Sequence, residues 1–272
     1  MNHIIIYNIN MVVKFILISY GRSGTAFIMS TIKSIFDSKS ENHYEEELFG
    51  SNEIPMEINK NNVIKMVDDY FDKKIKDYPN SFIYGFKWKP YYLDDNYYKL
   101  FPVLKKDNIK IIVSNRNPLH IFISRQKHLN NNIQSHYGKY DTKKIQKVRS
   151  IRTYLPIDEL IYFIKEYLNT MKMYNNILNK YNIPNINVDY EELSDKNINS
   201  WIKIIHFLNN NSQYQQDNDE ETELIKSLKY NLDNPKYIKT TTMKDWEIII
   251  NYDEVLESLK KNNLSKYIQE RK

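Results

Sequence analysis

Four short apolar segments along the chain predict the strands of a buried sheet. The first is an almost continuous run of β-branched and aliphatic residues, which is typical of a strand covered on both faces. The other three are shorter and are bounded by polar or turn-forming residues. In chain order, the four predicted strands are Val12–Ser19, Ser81–Lys87, Ile109–Ser114 and Ile186–Asp189.

Between these strands, apolar residues recur every three or four positions, which is the period of an amphipathic helix. One such helix follows the first strand and another follows the third. The longest runs over Asp158–Tyr181, and we expect Asp158 to be its N-cap. The other predicted helices are Asn62–Lys76, Ser200–Leu208 and Glu223–Tyr230.

The alternation of strands and helices predicts an α/β fold. Successive βαβ units place the strands in parallel and the helices on both faces of the sheet. We therefore expect a three-layer α/β/α architecture with a central parallel sheet. The sequence shows neither an internal repeat nor a clear boundary, so we predict one domain over residues 1–272, with a lead-in at 1–11 and a polar loop at 209–222.

The composition narrows the class of protein. Hydrophobic residues make up 41% of the 272 residues, and the 5 Gly and 8 Pro are too few for a turn-rich all-β protein. The absence of Cys excludes disulfides, cysteine zinc sites and a thiol nucleophile. The apolar N-terminus is interrupted by Asn8, Asn10 and Lys14 and lacks a basic leader, so we expect no membrane span and favour a cytoplasmic location.

The formal net charge of +5 and the pI near 8.9 fit an anionic ligand, such as a nucleotide or a sulfated sugar. Basic residues are interspersed with acidic ones, and the chain has no arm of consecutive Lys and Arg. This pattern favours a solvated surface of mixed charge over a nucleic-acid partner.

A short glycine loop, Tyr20–Thr25 (YGRSGT), connects the first predicted strand to the first helix. Gly21 and Gly24 let the backbone approach an anion, while consecutive N–H groups and the helix N-terminus supply partial positive charge. Arg22 adds a cation that can bind an oxyanion through two N–H groups. The loop lacks the Lys of GxxxxGK[ST], which disfavours a kinase or ATPase that depends on it. An ordinary turn capped by Ser23 is the alternative.

A second candidate anion site begins at Arg116, which directly follows the third predicted strand. Ligands of open parallel sheets bind beyond the carboxyl ends of the strands. Ser124 lies about two helical turns further on, and the intervening Asn117–Pro118 turn lets Arg116 and Ser124 converge on one anion. A surface Arg and an unrelated helix Ser are the alternative.

Together, the two loops resemble those of the PAPS-dependent sulfotransferase family, whose donor is 3′-phosphoadenosine 5′-phosphosulfate (PAPS) and whose nucleotide product is PAP. Arg22–Thr25 (RSGT) resembles the family's loop for the 5′-phosphosulfate. Arg116–Ser124 (RNPLHIFIS) resembles its RxPxxxxxS element for the 3′-phosphate. The resemblance implies a P-loop-NTPase-like sulfotransferase fold and transfer of a sulfuryl group to a hydroxyl or amine acceptor, with carbohydrates among the candidates.

Weaker similarities extend this resemblance over residues 12–250. Val188–Leu193 (VDYEEL) resembles the family's strand-end YEdL segment, Phe86–Pro90 (FKWKP) its region after the second strand, and Lys244–Trp246 (KDW) its late GDW element. The late loop lacks the usual RKG-type glycine, KWKP lacks the His of the cytosolic small-molecule branch, and Ala26 stands where many members carry Thr or Ser. The RSGT form is closer to the carbohydrate- and peptide-directed branches and to bacterial relatives.

The resemblance assigns roles to individual residues. Arg22 stabilises charge on the sulfuryl and bridging oxygens, and no metal is required because cations and backbone amides neutralise that charge. The residues implied to bind the nucleotide are Gly21, Arg22, Ser23, Gly24, Thr25, Ala26, Arg116, Ser124, Lys244 and Trp246.

A general base and an acceptor site complete the predicted chemistry. His43 and Glu45 are the candidate bases, with a solvated acidic loop as the alternative. Lys87 is a candidate for assisting the leaving group or binding an acidic acceptor, with a strand-end surface Lys as the alternative. Aromatic residues near the predicted cleft, including Trp88, are expected to pack rather than stack on an acceptor, and Tyr190 is likewise expected to pack rather than catalyse.

Two other functions compete with this interpretation. A P-loop nucleotide kinase or NTPase needs an Mg²⁺-binding Asp at a strand end, and Asp189 has that position. A catalytically inactive module that binds nucleotide, RNA or a sulfated polymer would keep the loops without the reaction. Tighter binding of ATP–Mg²⁺ than of PAP favours the first alternative, and PAP binding without turnover of PAPS favours the second.

Overall fold

The computed structural model describes residues 12–21, 24–36, 60–79, 81, 83–89, 100–131, 142–209, 218–234 and 244–270. Within these ranges, the four predicted strands are present with ends shifted by at most two residues. Their bounds are β1 Val13–Ser19, β2 Ile83–Trp88, β3 Lys110–Asn115 and β4 Asn185–Asp189.

Eleven α-helices and one short 3₁₀ helix, Ser265–Tyr267, accompany the strands in the described ranges. Every helix that the apolar period predicts is present. The bounds are α1 Thr25–Phe36, α2 Lys60–Asp77, α3 Phe101–Lys106, α4 Pro118–Asn131, α5 Thr142–Ser150, α6 Ile157–Lys180, α7 Tyr190–Ser194, α8 Ile198–Asn209, α9 Asn218–Asp233, α10 Asp245–Ile248 and α11 Tyr252–Lys261.

The four strands form one parallel sheet in the order β2-β1-β3-β4. β1 lies between β2 and β3, so Leu17 is the register partner of both Lys87 and Ile112. β3 in turn pairs with β4, with Asn115 opposite Asp189. Because all four strands run the same way, their carboxyl ends and the loops that follow them share one edge.

Each face of the sheet is covered by helices, which confirms the three-layer α/β/α architecture. Alternate residues of β1 point to opposite faces: Phe15 and Leu17 pack against α1, α8 and α9, whereas Ile16 and Ile18 face the core built with α2, α4, α6 and α11. β1 is therefore buried on both sides, as its continuous apolar composition predicts.

Two details of the expected element boundaries are wrong. Asp158 is not the N-cap of its helix, because Pro156 is the N-cap and Asp158 lies inside the first turn. In the first turn, its negative charge still stabilises the helix through the positive end of the helix dipole. The polar run 209–222 is not all loop either. Asn209 is the last residue of α8, and α9 already begins at Asn218, while 210–217 lie outside the described residues.

Lys110 joins the start of β3 to the end of α8. Its Nζ donates hydrogen bonds to the carbonyl oxygens of Phe207 (2.5 Å) and Leu208 (2.8 Å), and the side chain is 4% exposed. Helix ends leave their last carbonyls without intrahelical donors, and a cation there also favours the dipole. Burial lowers the pKa of Lys110 to about 8.

We expect Lys110→Met to lower the free energy of unfolding by about 1–2 kcal/mol at pH 7, because two buried carbonyls lose their donor. Lys110 releases its ammonium proton at a lower pH in the folded protein than in the unfolded chain. The difference in free energy of unfolding between wild type and Lys110→Met should therefore shrink as the pH rises from 8 toward 10.5, because the folded-state pKa is lowered and the charged form is the one that burial disfavours. Urea unfolding at pH 7 and 9.5 measures both effects. Lys105→Met, an exposed substitution on α3, is the control. A difference in free energy of unfolding that stays constant or moves the other way as the pH rises contradicts the prediction.

None of the helices within the described ranges combines the length and the apolar character needed to cross a bilayer.

Candidate functional site

The glycine loop lies where β1 ends and α1 begins. Gly21 is buried, and Gly24 has φ +71°, a backbone conformation that favours glycine. The carbonyl oxygen of Gly24 accepts hydrogen bonds from the N–H groups of Phe27 (3.0 Å) and Ile28 (3.2 Å), so α1 starts directly from the loop. Thr25 and Ala26 are buried in the first turn, where backbone N–H groups have no intrahelical acceptor.

Gly24 also faces an aromatic ring. A Cβ atom added at Gly24 would overlap the ring of Tyr190, the first residue of α7. Glycine is thus required twice at this position, by the backbone angle and by the close approach of the ring.

The second loop places Arg116 directly after β3. Its backbone N–H donates to Tyr167 Oη at 3.0 Å, and its guanidinium carbon lies 4.6 Å from the centroid of the Tyr190 ring. The Arg116 side chain is 9% exposed, and its Nε lies 3.9 Å from Glu191 Oε1. Arg116 is therefore oriented by an aromatic face, a carboxylate and a backbone hydrogen bond at once.

Tyr190 and Tyr167 each contact both loops. The ring of Tyr190 contacts both Gly24 and the Arg116 guanidinium. Tyr20, at the start of the glycine loop, packs edge-on against Tyr167 with centroids 5.4 Å apart, and Tyr167 accepts the Arg116 N–H. The two loops therefore lie side by side at the carboxyl edge of β1 and β3.

A charged cluster extends from Arg116 onto α4, α7 and α10. His120 Nε2 lies 3.1 Å from Asp245 Oδ1, and His120 Nδ1 lies 3.7 Å from Glu191 Oε1. The side chain of Asp245 is only 1% exposed, and its Oδ2 accepts the backbone N–H of Gln269 at 2.7 Å. Three parts of the chain that are distant in sequence, namely residues 116–120, α7 and α10, thus share one network of charges.

The charged groups in this cluster shift the pKa values of their neighbours. Burial opposes ionisation of Glu191, but the nearby His120 imidazole, the charge of Arg116 and the Asn117 N–H together lower the pKa of Glu191. Burial likewise opposes protonation of His120, yet its hydrogen bond to Asp245 and the nearby Glu191 carboxylate raise the pKa of the imidazole above its usual value. The two carboxylates therefore favour the charged form of the imidazole that lies between them.

Buried hydroxyls lie beneath the two loops. Ser19 and Ser114 are register partners at the ends of β1 and β3, and both are at most 1% exposed. Neither Oγ has a hydrogen-bond partner within the described part of the chain. Buried polar atoms are seldom left in this state unless water, a ligand or another polar group satisfies them. This edge therefore fits a polar ligand.

Some of the other predicted site residues lie within the described part of the chain, and four lie outside it. Ser124 is half-buried on α4, and Lys87 is buried near the end of β2 rather than on the surface. Lys244 is exposed and Trp246 packs against Tyr252, while the residue between them, Asp245, reaches the Arg116 cluster. The predicted residues Arg22, Ser23, His43 and Glu45 lie outside the described residues.

Sequence reasoning missed His120, Glu191, Tyr167 and Asp245 as parts of the site. A signal existed for His120, since His120 and Ser124 are four residues apart in one helical segment, and residues with that spacing share one face of a helix. Trp88, expected to pack, lies in the core against Phe101.

Positive charge is concentrated around α4 and α5. Of the 39 Lys and Arg residues, ten lie within 108–157, which holds only one of the 34 Asp and Glu residues. This stretch therefore carries a formal charge of +9 and the rest of the chain −4. The prediction that basic residues are interspersed with acidic ones is therefore wrong for this region. The region includes Arg116 and the exposed residues Arg125, Lys143, Lys147 and Arg152.

The sulfotransferase domain family matches residues 13–258, from the first residue of β1 into α11. The chain belongs to this family. No curated protein matches the chain. Among solved structures, mouse sulfotransferase SULT7A1 complexed with PAP is similar, at 14% identity and a TM-score of 0.44, over 94% of this chain and 82% of that chain.

Within this sulfotransferase-family chain, the described residues contain no group of three or more His, Asp or Glu side chains placed to hold a metal ion.

Proposed function

We propose that this chain is a PAPS-dependent sulfotransferase that transfers a sulfuryl group to a hydroxyl or amine acceptor, with carbohydrate hydroxyls as the first class to test. Membership of the sulfotransferase domain family supports the reaction class. The observation that carries the nucleotide assignment is the ring of Tyr190, which contacts Gly24 on one side and Arg116 on the other. One bisphosphorylated nucleotide can therefore reach both loops.

The glycine loop would hold the 5′ end of the nucleotide. Gly24 lets the chain turn sharply into α1, so that the first-turn N–H groups of Thr25 and Ala26 are available to an anion. The proposed contacts of this end are completed by Gly21, Arg22 and Ser23. When bound, PAPS supplies an activated sulfuryl group, and Arg22 would stabilise the negative charge that develops around it.

Arg116 and Ser124 would hold the 3′-phosphate, the group that distinguishes PAP from adenosine 5′-phosphate. Arg116 is pre-oriented, because its N–H is bound to Tyr167 and its guanidinium rests on Tyr190. Such pre-orientation reduces the conformational entropy lost on binding. We also assign Lys244 and Trp246 to this end, since Asp245 between them meets the Arg116 cluster through His120.

Lys87 and a general base would handle the acceptor side. Lys87 lies near the end of β2, next to β1, and its burial makes its charge a strong local influence. We propose that it assists departure of the nucleotide or binds an acidic acceptor. His43 or Glu45 would accept the proton of the attacking hydroxyl, since both side chains can act as bases near neutral pH.

Nucleotide binding and sulfate transfer test this function directly. We expect PAP to raise the melting temperature more than adenosine 5′-phosphate or ATP–Mg²⁺ does, because PAP alone engages both loops. Radiolabelled PAPS should then transfer sulfate to a component of pooled glycans and metabolites. A larger shift with ATP–Mg²⁺ contradicts the proposal, and PAP binding without any consumption of PAPS indicates an inactive binding module.

We expect Arg22→Ala to lower turnover by about 100-fold, the loss typical of removing one group that stabilises transition-state charge. Circular dichroism and the melting temperature should stay close to wild type. Steady-state transfer from radiolabelled PAPS is the measurement. Turnover equal to wild type would remove Arg22 from the mechanism.

A further inference from the structure

His120 lies between two carboxylates that come from distant parts of the chain. On one side, Nε2 is 3.1 Å from Asp245 Oδ1; on the other, Nδ1 is 3.7 Å from Glu191 Oε1. His120 itself projects from the first turn of α4, four residues after Arg116. One imidazole thus connects α4, α7 and α10 beside the proposed 3′-phosphate site.

Glu191 is the group that His120 and Arg116 share. Its Oε1 accepts the backbone N–H of Asn117 at 3.2 Å and lies 3.9 Å from Arg116 Nε, in addition to its contact with His120. A carboxylate this close to Arg116 competes with any phosphate for the guanidinium. The state of His120 therefore decides how far Glu191 neutralises Arg116.

We propose that His120 is a positioning residue of the nucleotide site, which holds Glu191 and Asp245 as an imidazolium and so leaves the charge of Arg116 available to the 3′-phosphate. This inference rests on the proposed function, because it presumes a nucleotide with a 3′-phosphate. His120 acts through Arg116 and Glu191 and need not touch the nucleotide.

The charges of the cluster give the direction of the effect. The charged groups that act on His120 are Arg116 in the loop after β3, Glu191 on α7 and Asp245 on α10. Tyr167 on α6 stays neutral, because burial raises its pKa to about 12. With a charged His120 the four ionised groups sum to zero, and with a neutral His120 they sum to −1. A phosphate dianion is repelled by the second state at short range in a partly buried site.

Asp245 ties this charge state to the C-terminal part of the chain. Its second oxygen, Oδ2, accepts the N–H of Gln269, and the Thr153–Ile249 bridge adjoins the same short helix. Asp245 is 1% exposed, and a buried carboxylate needs a charged or hydrogen-bonding partner. His120 supplies that partner from α4.

The first test needs no nucleotide. In the free protein, ¹H–¹⁵N NMR titration of the imidazole should give His120 a pKa above 6.5, and Glu191→Gln should lower it by removing one of the two carboxylates. A His120 that titrates at or below 6.5, or whose pKa does not respond to Glu191→Gln, overturns the inference whatever the protein binds.

The second test uses two amide variants that separate the two contacts. The amide nitrogen of His120→Asn replaces Nδ1 toward Glu191, and that of His120→Gln replaces Nε2 toward Asp245, while neither carries charge. We expect both to weaken PAP binding about tenfold at pH 6 and adenosine 5′-phosphate binding less than about twofold, because one charge near the 3′-phosphate is lost. His120→Gln should keep the higher melting temperature of the two.

The pH profile distinguishes positioning from simple packing. The ratio of wild-type to variant PAP affinity should be largest below the His120 pKa and should approach one as the pH rises through it, because wild type then loses the same charge. Titration of the phosphates cancels in this ratio. His128→Gln, an exposed substitution on the same helix, is the control and should not change PAP affinity.

The outcomes separate the two proposals. If wild type binds PAP no better than adenosine 5′-phosphate, the proposed function fails, and the NMR titration still decides the charge state of His120. If PAP binds in preference and both His120 variants bind it as wild type does, or their ratio to wild type is independent of pH, the role of His120 is refuted and the proposed function stands.

Discussion

Replacing Arg116 with Ala should weaken PAP binding by about 100-fold while changing the affinity for adenosine 5′-phosphate by less than about threefold. Charge-assisted hydrogen bonds from a guanidinium contribute roughly 1.5–3 kcal/mol each, and a phosphate offers Arg116 two acceptors. Only PAP carries the phosphate that Arg116 is proposed to bind. Isothermal titration calorimetry with both nucleotides measures the difference.

Two matched variants strengthen the Arg116 experiment. Arg125→Ala removes an exposed arginine from α4, the helix that follows Arg116, and should leave both affinities unchanged. Arg116→Lys keeps the charge and loses the planar fork, so we expect an intermediate affinity for PAP. Equal losses of PAP and adenosine 5′-phosphate binding in Arg116→Ala would contradict the assignment of a separate 3′-phosphate site.

Gly24→Ala should abolish binding of both PAP and adenosine 5′-phosphate. The backbone at φ +71° costs a residue with a side chain about 1–2 kcal/mol, and the new Cβ would overlap the ring of Tyr190. Moving that ring also disturbs Arg116, which rests on it. Because the glycine loop holds the 5′ end common to both nucleotides, neither should raise the melting temperature of this variant.

A double mutant separates the two causes. In a Tyr190→Leu background, adding Gly24→Ala should lower the free energy of unfolding by less than it does in wild type, since the overlap is gone and the cost of the backbone angle remains. Gly85→Ala is the control, because its Cβ would overlap Phe15 in the core of the sheet. We expect it to destabilise the fold and, below its melting temperature, still to bind both nucleotides. Nucleotide binding by Gly24→Ala at the wild-type level would refute the loop's role.

The strands and long helices were predictable because each carries its signal locally. β1 is continuously apolar and β-branched, and the apolar stripe of α6 repeats over 24 residues. The short helices carry too few residues for a period to appear: α3 has six residues with Pro102 in its first turn, and α10 has four. Their helical form depends on packing against the rest of the domain.

Part of the candidate site was likewise predictable from local sequence, and part of it was not. The glycine loop and Arg116 are recognisable from consecutive residues, since a phosphate loop needs its glycines and cation within a few positions. The contacts that orient Arg116 come from elsewhere: His120 and Asp245 are 125 residues apart in sequence, and Arg116 and Tyr167 are 51 apart. No local pattern encodes such pairs, because only the three-dimensional fold brings them together.

The uneven distribution of charge along the chain concentrates positive charge in the stretch that includes α4 and α5, and this charge sets up a local electric field. An approaching dianion experiences this field before any contact forms, within about one Debye length of 8–10 Å at physiological salt. Encounters are then biased toward the end of the protein that contains Arg116. The nucleotide is therefore attracted toward Arg116 while it is still diffusing.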